Sequence, residues 1–266
     1  MAALIAASAR LLAHDLWIEP SAFVVTADQP LAVRLKVGMD LLGDPVARET
    51  ALIDRFVAVN AGESMPVPGV EGVDPAGAVR VATTGLLIVG YASKPARIVL
   101  PARKFNEYLA EEGLETIAAL RARRNQTDVD AREEFSRCAK ALVASGAPAS
   151  TNADRALGFT LELIAERNPY TLHAGGELPV RLLFKGRPLR DALVMALNKR
   201  DASAKLSGRT DAGGRVKFRL AQPGMWLIKA VHMIEAPAGG DAQWSSFWAS
   251  LTFQMPNASA PGATAR

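Results

Sequence analysis

Leu31-Ala32-Val33-Arg34-Leu35-Lys36-Val37 alternates apolar and polar residues along its length. A period of two places one face in a core and the other in water, which a half-buried strand does and a helix does not. Working outward, Phe23 to Val25, Leu52 to Val59, Val79 to Ala82, Leu86 to Tyr91 and Ile98 to Leu100 read as further short strands. Asn60-Ala61-Gly62 and Asp74-Pro75-Ala76-Gly77 separate them with turn-forming residues. Short strands at this spacing predict an antiparallel sandwich rather than alternating βαβ units.

The middle of the chain changes period. Phe105, Tyr108, Leu109, Leu114, Ile117 and Leu120 recur at helical spacing, interrupted at Gly113. A second helix is expected from about Asp130, where Asp130 and Glu133 have the spacing of a capping box, and Ser145-Gly146-Ala147-Pro148 would end it. Both segments read as amphipathic helices packed on a sheet, with docking of a partner as the other reading.

Strands return with Leu178-Pro179-Val180-Arg181-Leu182-Leu183-Phe184, the turn Lys185-Gly186-Arg187-Pro188, and Ala192 to Leu197. Arg209-Thr210-Asp211-Ala212-Gly213-Gly214-Arg215 makes another turn, Arg215 to Leu220 another strand, and Pro223-Gly224 leads into Met225 to Ile234. This order resembles the transthyretin-like, or carboxypeptidase-regulatory-like, β-sandwich. The expected organisation is therefore mainly β, with two β-sandwich domains and a helical insertion. Its boundaries are 1–13 for a signal remnant, 14–101 for the N-terminal sandwich, 102–147 for the helical insertion, 148–255 for the C-terminal sandwich and 256–266 for a disordered tail.

Of the 266 residues, 49% are apolar and 22% charged, which is globular. No run of apolar residues is long enough to span a bilayer, so no stable membrane insertion is expected. The net charge of +4 is scattered among acids, with Arg121, Arg123 and Arg124 as its tightest cluster, so no nucleic-acid partner is expected. Cys138 is the only cysteine, which excludes an intrachain disulfide and a thiolate zinc site. Its spacing from Phe135 and Leu142 puts it on the apolar face of the expected second helix, as a small buried hydrophobe rather than a nucleophile.

The start carries the functional expectation. Met1-Ala2-Ala3-Leu4-Ile5-Ala6-Ala7 lacks a basic region but otherwise reads as the apolar part of a secretory signal, and export to the periplasm follows. Cleavage after Ala13 would make His14 the new terminus, whereas Ala7-Ser8-Ala9 offers an alternative small-x-small site that leaves Arg10 first. A terminal His14 offers its α-amine and ring Nδ1 to one metal ion. The other reading makes His14 a plain polar residue opening the first strand.

Several stretches together resemble one family of exported bacterial proteins, domain of unknown function 4198. They are His14-Asp15-Leu16-Trp17-Ile18-Glu19-Pro20, Lys104 to Glu115, Arg137 to Leu142, Asn168-Pro169-Tyr170, Arg209-Thr210-Asp211 and Trp226 to Met233. The resemblance runs from about His14 to Phe253. It implies an envelope location and a part in nickel or cobalt uptake, alongside a membrane metal transporter or receptor, and it supplies no ligand set.

The residues themselves suggest one. Imidazole suits nickel, copper and zinc, and the thioethers of Met225, Met233 or Met255 suit Cu(I). The expected site pairs His14 with His232, adding a carboxylate from Asp15 or Glu235, for a nickel, cobalt or copper ion. Against it, His232 shares a strand face with Trp226, Ile228, Ala230 and Ile234, the position of a core histidine, and His173 sits at an exposed strand end. Catalysis is not expected, because no G-x-S-x-G, H-E-x-x-H, P-loop or G-x-G-x-x-G stands in a suitable context. Glu111, Glu112 and Glu115 read as a solvated helix face. The alternative function is a non-catalytic envelope module, with Trp244 and Trp248 on one strand face stacking on a glycan, or else lying in the core.

Overall fold

A computed structural model describes residues 14–146 and 153–256. The expected signal remnant and all of the expected tail beyond Pro256 lie outside the described residues. The first half contains β1 (Asp15–Pro20), β2 (Val24–Val25), β3 (Pro30–Met39), β4 (Leu42–Val46), β5 (Ile53–Asn60), β6 (Glu63–Pro66), β7 (Gly77–Arg80), β8 (Gly85–Ser93) and β9 (Ala96–Leu100). Then come α1 (Ala102–Glu111), α2 (Glu115–Arg123), β10 (Ala131–Ser145), β11 (Leu161–Ala165) and β12 (Gly176–Phe184). The last strands are β13 (Arg187–Pro188), β14 (Leu193–Asn198), β15 (Asp201–Arg209), β16 (Arg215–Leu220), β17 (Gly224–Glu235) and β18 (Trp244–Met255). The protein is mainly β, with two α-helices set between strands among the described residues.

Among the described residues three sheets form the layers. The middle one runs β15-β14-β17-β18-β10-β8-β5-β6, with β2 and β9 also paired to β10. A small sheet of β1, β3, β4 and β7 covers part of one face, and one of β11, β12, β13 and β16 covers part of the other. The two sandwiches expected from the sequence thus share their middle layer. Strand alternation on β10 joins them. Ala139, Ala141 and Val143 face the first small sheet in one core, while Leu142 and Ala144 lie in the core beneath β11 and β12. α1 and α2 cover the remaining part of the first face, packing Phe105, Tyr108 and Leu109 against Val231, Met233, Trp244 and Trp248.

The two helices form where the period predicts, with the break at Gly113. That residue adopts φ +65°, the left-handed conformation that ends α1, and a Cβ there would lie 2.8 Å from Leu193 Cβ. The second expected helix is a correction: residues 131–145 form β10, the longest strand. Its pairing explains why. Residues 133–141 lie parallel to β18, while β9 and β8 pair with its first and last parts antiparallel. A strand with neighbours on both edges and cores on both faces carries no period-two signature, and Ala, Glu, Lys and Arg imitate a helix. The two residues of the supposed capping box have separate roles. Asp130 Oδ1 accepts the Ala102 backbone N–H at 3.0 Å, capping α1 from a distance, and Glu133 is buried in the sheet. Cys138 is buried as expected, but on a strand. Among the described residues no helix is long and apolar enough to cross a membrane.

Candidate functional site

Lys229 interrupts the apolar run of β17 between Ile228 and Ala230. Alternation turns it, with Val231 and Met233, toward α1 and the start of β1. Its ammonium donates to Asp15 Oδ1 at 2.9 Å and Oδ2 at 3.0 Å, and to Glu112 Oε1 at 2.8 Å. Asp15 opens β1 and Glu112 is the residue after α1, so three elements distant in sequence meet at one charge. The side chains of Lys229, Asp15 and Glu112 are only 12%, 8% and 8% exposed.

The cluster forms the floor of a cleft of about 260 Å³ lined by Asp15, Met39, Asp40, Glu111, Glu112, Met195, Lys205 and Lys229. Lys205 on β15 pairs with Asp40 at the β3–β4 turn, both half-exposed. Four carboxylates against two ammonium groups leave the lining anionic. Burial, and after it the charge of Asp15, raises the pKa of Glu112 against the opposing pull of Lys229. Burial would lower that of Lys229, but its two carboxylates reverse the effect and raise it. Glu112 Oε2 is buried and has no hydrogen-bond partner. An unpaired oxygen beside a cavity is an unused acceptor, available to a cationic or hydrogen-donating ligand.

The four residues expected to form a metal site fall in different places. Asp15 lines the cleft. His14 directly precedes it, half-buried, with a buried ring Nδ1 that has no partner, while its carbonyl accepts from Arg137 Nη2 at 3.4 Å. His232 is three residues from Lys229 and so projects from the opposite face of β17. Its ring lies edge-on to Phe184, with centroids 4.6 Å apart, and Phe184 in turn contacts Phe247. Burial, helped by the charge of Lys185, lowers the His232 pKa. The middle sheet therefore stands between Asp15 and His232. Glu235 is exposed and pairs with Arg124 at 2.7 Å. Among the described residues no group of three or more His, Cys, Asp and Glu side chains is placed to hold a metal ion. Lys229 already supplies the cation between Asp15 and Glu112, and the ring Nδ1 of His14 remains a nitrogen without a hydrogen-bond partner among the described residues.

Other candidates settle into the core. Met225, Met233 and Met255 are buried, and Met39 and Met195 are the thioethers at the cleft. Trp244 and Trp248 are 1% and 6% exposed, with Trp248 stacked on Tyr108 at 5.3 Å, so neither offers a face to a sugar. His173 is exposed in its turn. Glu112, read as a solvated acid, is buried instead. Sequence reasoning passed over Lys229, although a lone lysine inside Trp226-Leu227-Ile228-Lys229-Ala230-Val231 is a legible sign of a buried charge needing partners.

A family model described as a domain of unknown function (DUF4198) matches residues 11–234. No curated protein matches the chain. Among solved structures, the D0-D1 domain of intimin is similar at 12% identity and a TM-score of 0.20, over 90% of this chain and 97% of that one. A Salmonella alpha-2-macroglobulin mutant is similar at 15% identity and a TM-score of 0.22, over 90% of this chain and 16% of that one.

Proposed function

The chain belongs to the DUF4198 family, a domain of unknown function, and from there we propose that it is a non-enzymatic periplasmic accessory protein that binds a transition-metal ion. The ion is nickel, cobalt or copper, and the first donor is His14. The observation that carries this reading is the buried ring Nδ1 of His14, which lacks a partner and sits one residue from the anionic cleft. Nitrogen ligands suit these ions, and the cleft's negative potential raises the local concentration of cations. Export with cleavage after Ala13 frees the α-amine of His14, and amine and imidazole then close a chelate on one ion. His232 and Glu235, set apart from Asp15, have no part in it. A membrane metal transporter or receptor is the partner to which such a protein delivers.

Calorimetric titration with Ni(II), Co(II) and Cu(II) tests this on protein beginning at His14. Tight binding to that form, lost in His14→Ala and in protein with one residue added before His14, and kept in His232→Ala, is expected. Equal affinity in the native and His14→Ala proteins removes the reading.

A further inference from the structure

A second lysine lies deeper. Lys140 projects from β10 away from the first small sheet, toward β11, and its side chain is 1% exposed. Asp154 and Glu162, the carboxylates beside it, are 0% and 2% exposed. Lys140 Nζ lies 2.7 Å from Asp154 Oδ1 and 3.3 Å from Glu162 Oε1, and it donates to the carbonyls of Arg155 at 2.9 Å and Leu163 at 3.1 Å. Glu162 accepts the backbone N–H groups of Leu157 at 2.6 Å, Gly158 at 3.0 Å and Phe159 at 3.1 Å. Asp154 Oδ1 accepts from Arg155 N at 2.8 Å and Oδ2 from Ala165 N at 3.0 Å.

An amine held against a carboxyl without water, beside a second carboxylate, is the arrangement that amide formation requires. In water the reverse reaction is favoured by solvent and the ions by hydration. Here both are withdrawn, and removing two buried charges relieves their desolvation cost. We infer that Lys140 and Asp154 become joined by an intramolecular isopeptide bond, with Glu162 as the proton carrier.

The step balances within the three side chains. A proton first passes from the Lys140 ammonium to Asp154 Oδ1, leaving a neutral amine beside a neutral acid. Burial raises the Asp154 pKa and so favours this exchange. Nζ then attacks Cγ, and the charge that develops on Oδ2 is met by the Ala165 N–H. Glu162 Oε1 takes a proton from the positively charged nitrogen of the adduct and returns it to Oδ1. Oδ1 departs as water, the C–Oδ1 bond breaks, and the new C–Nζ bond remains as an amide carrying one hydrogen. Ammonium and carboxylate have become amide and water, and Glu162 ends as it began, held by its three backbone donors. No oxidant or co-reactant is needed.

The bond would tie the middle strand of the shared sheet to the segment entering β11. With Cys138 as the only cysteine, no intrachain disulfide can do this. The inference is independent of the metal reading, since the cluster lies on the other face of β10 from the N-terminal sheet.

Sequence makes the test direct, because trypsin has no site between Arg137 and Arg155 other than Lys140. Full-length native protein, denatured and digested, should yield a single peptide Cys138–Arg155, uncleaved at Lys140 and lighter by one water. Recovery of separate peptides Cys138–Lys140 and Ala141–Arg155 at full mass overturns the inference, and this readout needs no variant. In Glu162→Gln the bonded peptide should fall about a hundredfold or more, with near-ultraviolet circular dichroism reporting the fold. Undiminished bonding in a folded Glu162→Gln protein overturns the role of Glu162.

Discussion

Lys229 and Lys140 are the same device in two settings. Each is a single lysine on its strand with apolar residues on either side, and each faces two carboxylates, from distant parts of the chain at Lys229 and from the segment that follows β10 at Lys140. At Lys140 the cluster is sealed, and the ammonium has two carboxylates and two carbonyls for its three protons. At Lys229 the cluster floors a cleft and leaves Glu112 Oε2 unpaired. Closure makes the first an internal tie between layers. An opening with an acceptor to spare makes the second a place where something can bind.

The sharpest way to break this comparison is to delete the sealed charge. Lys140→Met prevents the amide from forming and strands Asp154 and Glu162 without a cation in a site that water does not reach. Leaving buried charge uncompensated costs about 3–5 kcal/mol. Urea denaturation should therefore show a larger loss of stability than substitution of Lys229 produces. A loss below about 1 kcal/mol would mean that the site admits water.

Glu133 supplies the control, a buried carboxylate with no lysine. It accepts from the Tyr108 hydroxyl at 3.3 Å and from Ser246 Oγ, and burial, opposed by those hydrogen bonds and by Arg137, pushes its pKa up to about 7. The folded value lies above the unfolded value of 4.5, so the native state holds the extra proton between them. Stability is full below about pH 4.5 and declines as pH rises toward about 7, by about 3 kcal/mol at about 1.4 kcal/mol per pH unit. Glu133→Gln should remove that slope and raise stability at pH 8. A stability curve unchanged between pH 5 and pH 7 in both proteins would place Glu133 in contact with solvent.

The comparison also separates what a sequence carries from what it does not. The alternation at Leu31 to Val37, the helices on either side of Gly113 and the apolar neighbours of His232 follow from local periodicity. They reappear as β3, α1 and α2, and a histidine ring packed on Phe184. Residues 131–145 read as a helix because a strand buried on both faces has no alternation to show, which leaves helix-forming composition as the only local signal. The candidate site was half legible. Asp15 could be named, and lone lysines in Leu227-Ile228-Lys229-Ala230-Val231 and Cys138-Ala139-Lys140-Ala141-Leu142 announce buried charges. The partners of Lys229 could not be read, because pairing across 117 and 214 residues depends on how the sheet layers stack. The same stacking sets His14 and His232 on different sides of a sheet, which no spacing reveals.

The smallest expected effect on stability falls at the open cluster and sharpens the contrast most. Lys229→Met removes a cation that is 12% exposed, from beside carboxylates that the cleft lets water approach. Denaturation should show a loss of about 1–3 kcal/mol, below that of Lys140→Met. Lys229 holds the Glu112 pKa down against burial. Its loss therefore raises that pKa further, and the variant should lose stability as pH rises through the range where Glu112 ionises. A divalent cation can then replace the ammonium, because Asp15 and Glu112 offer oxygen ligands on a ready-made floor. Millimolar Mg(II) or Mn(II) should restore stability to Lys229→Met at pH 8 while leaving Lys140→Met unaffected, since no ion reaches a site that is 1% exposed. Equal rescue of both variants would mean that the two lysines sit in equivalent surroundings, and the distinction between tie and binding site would fall.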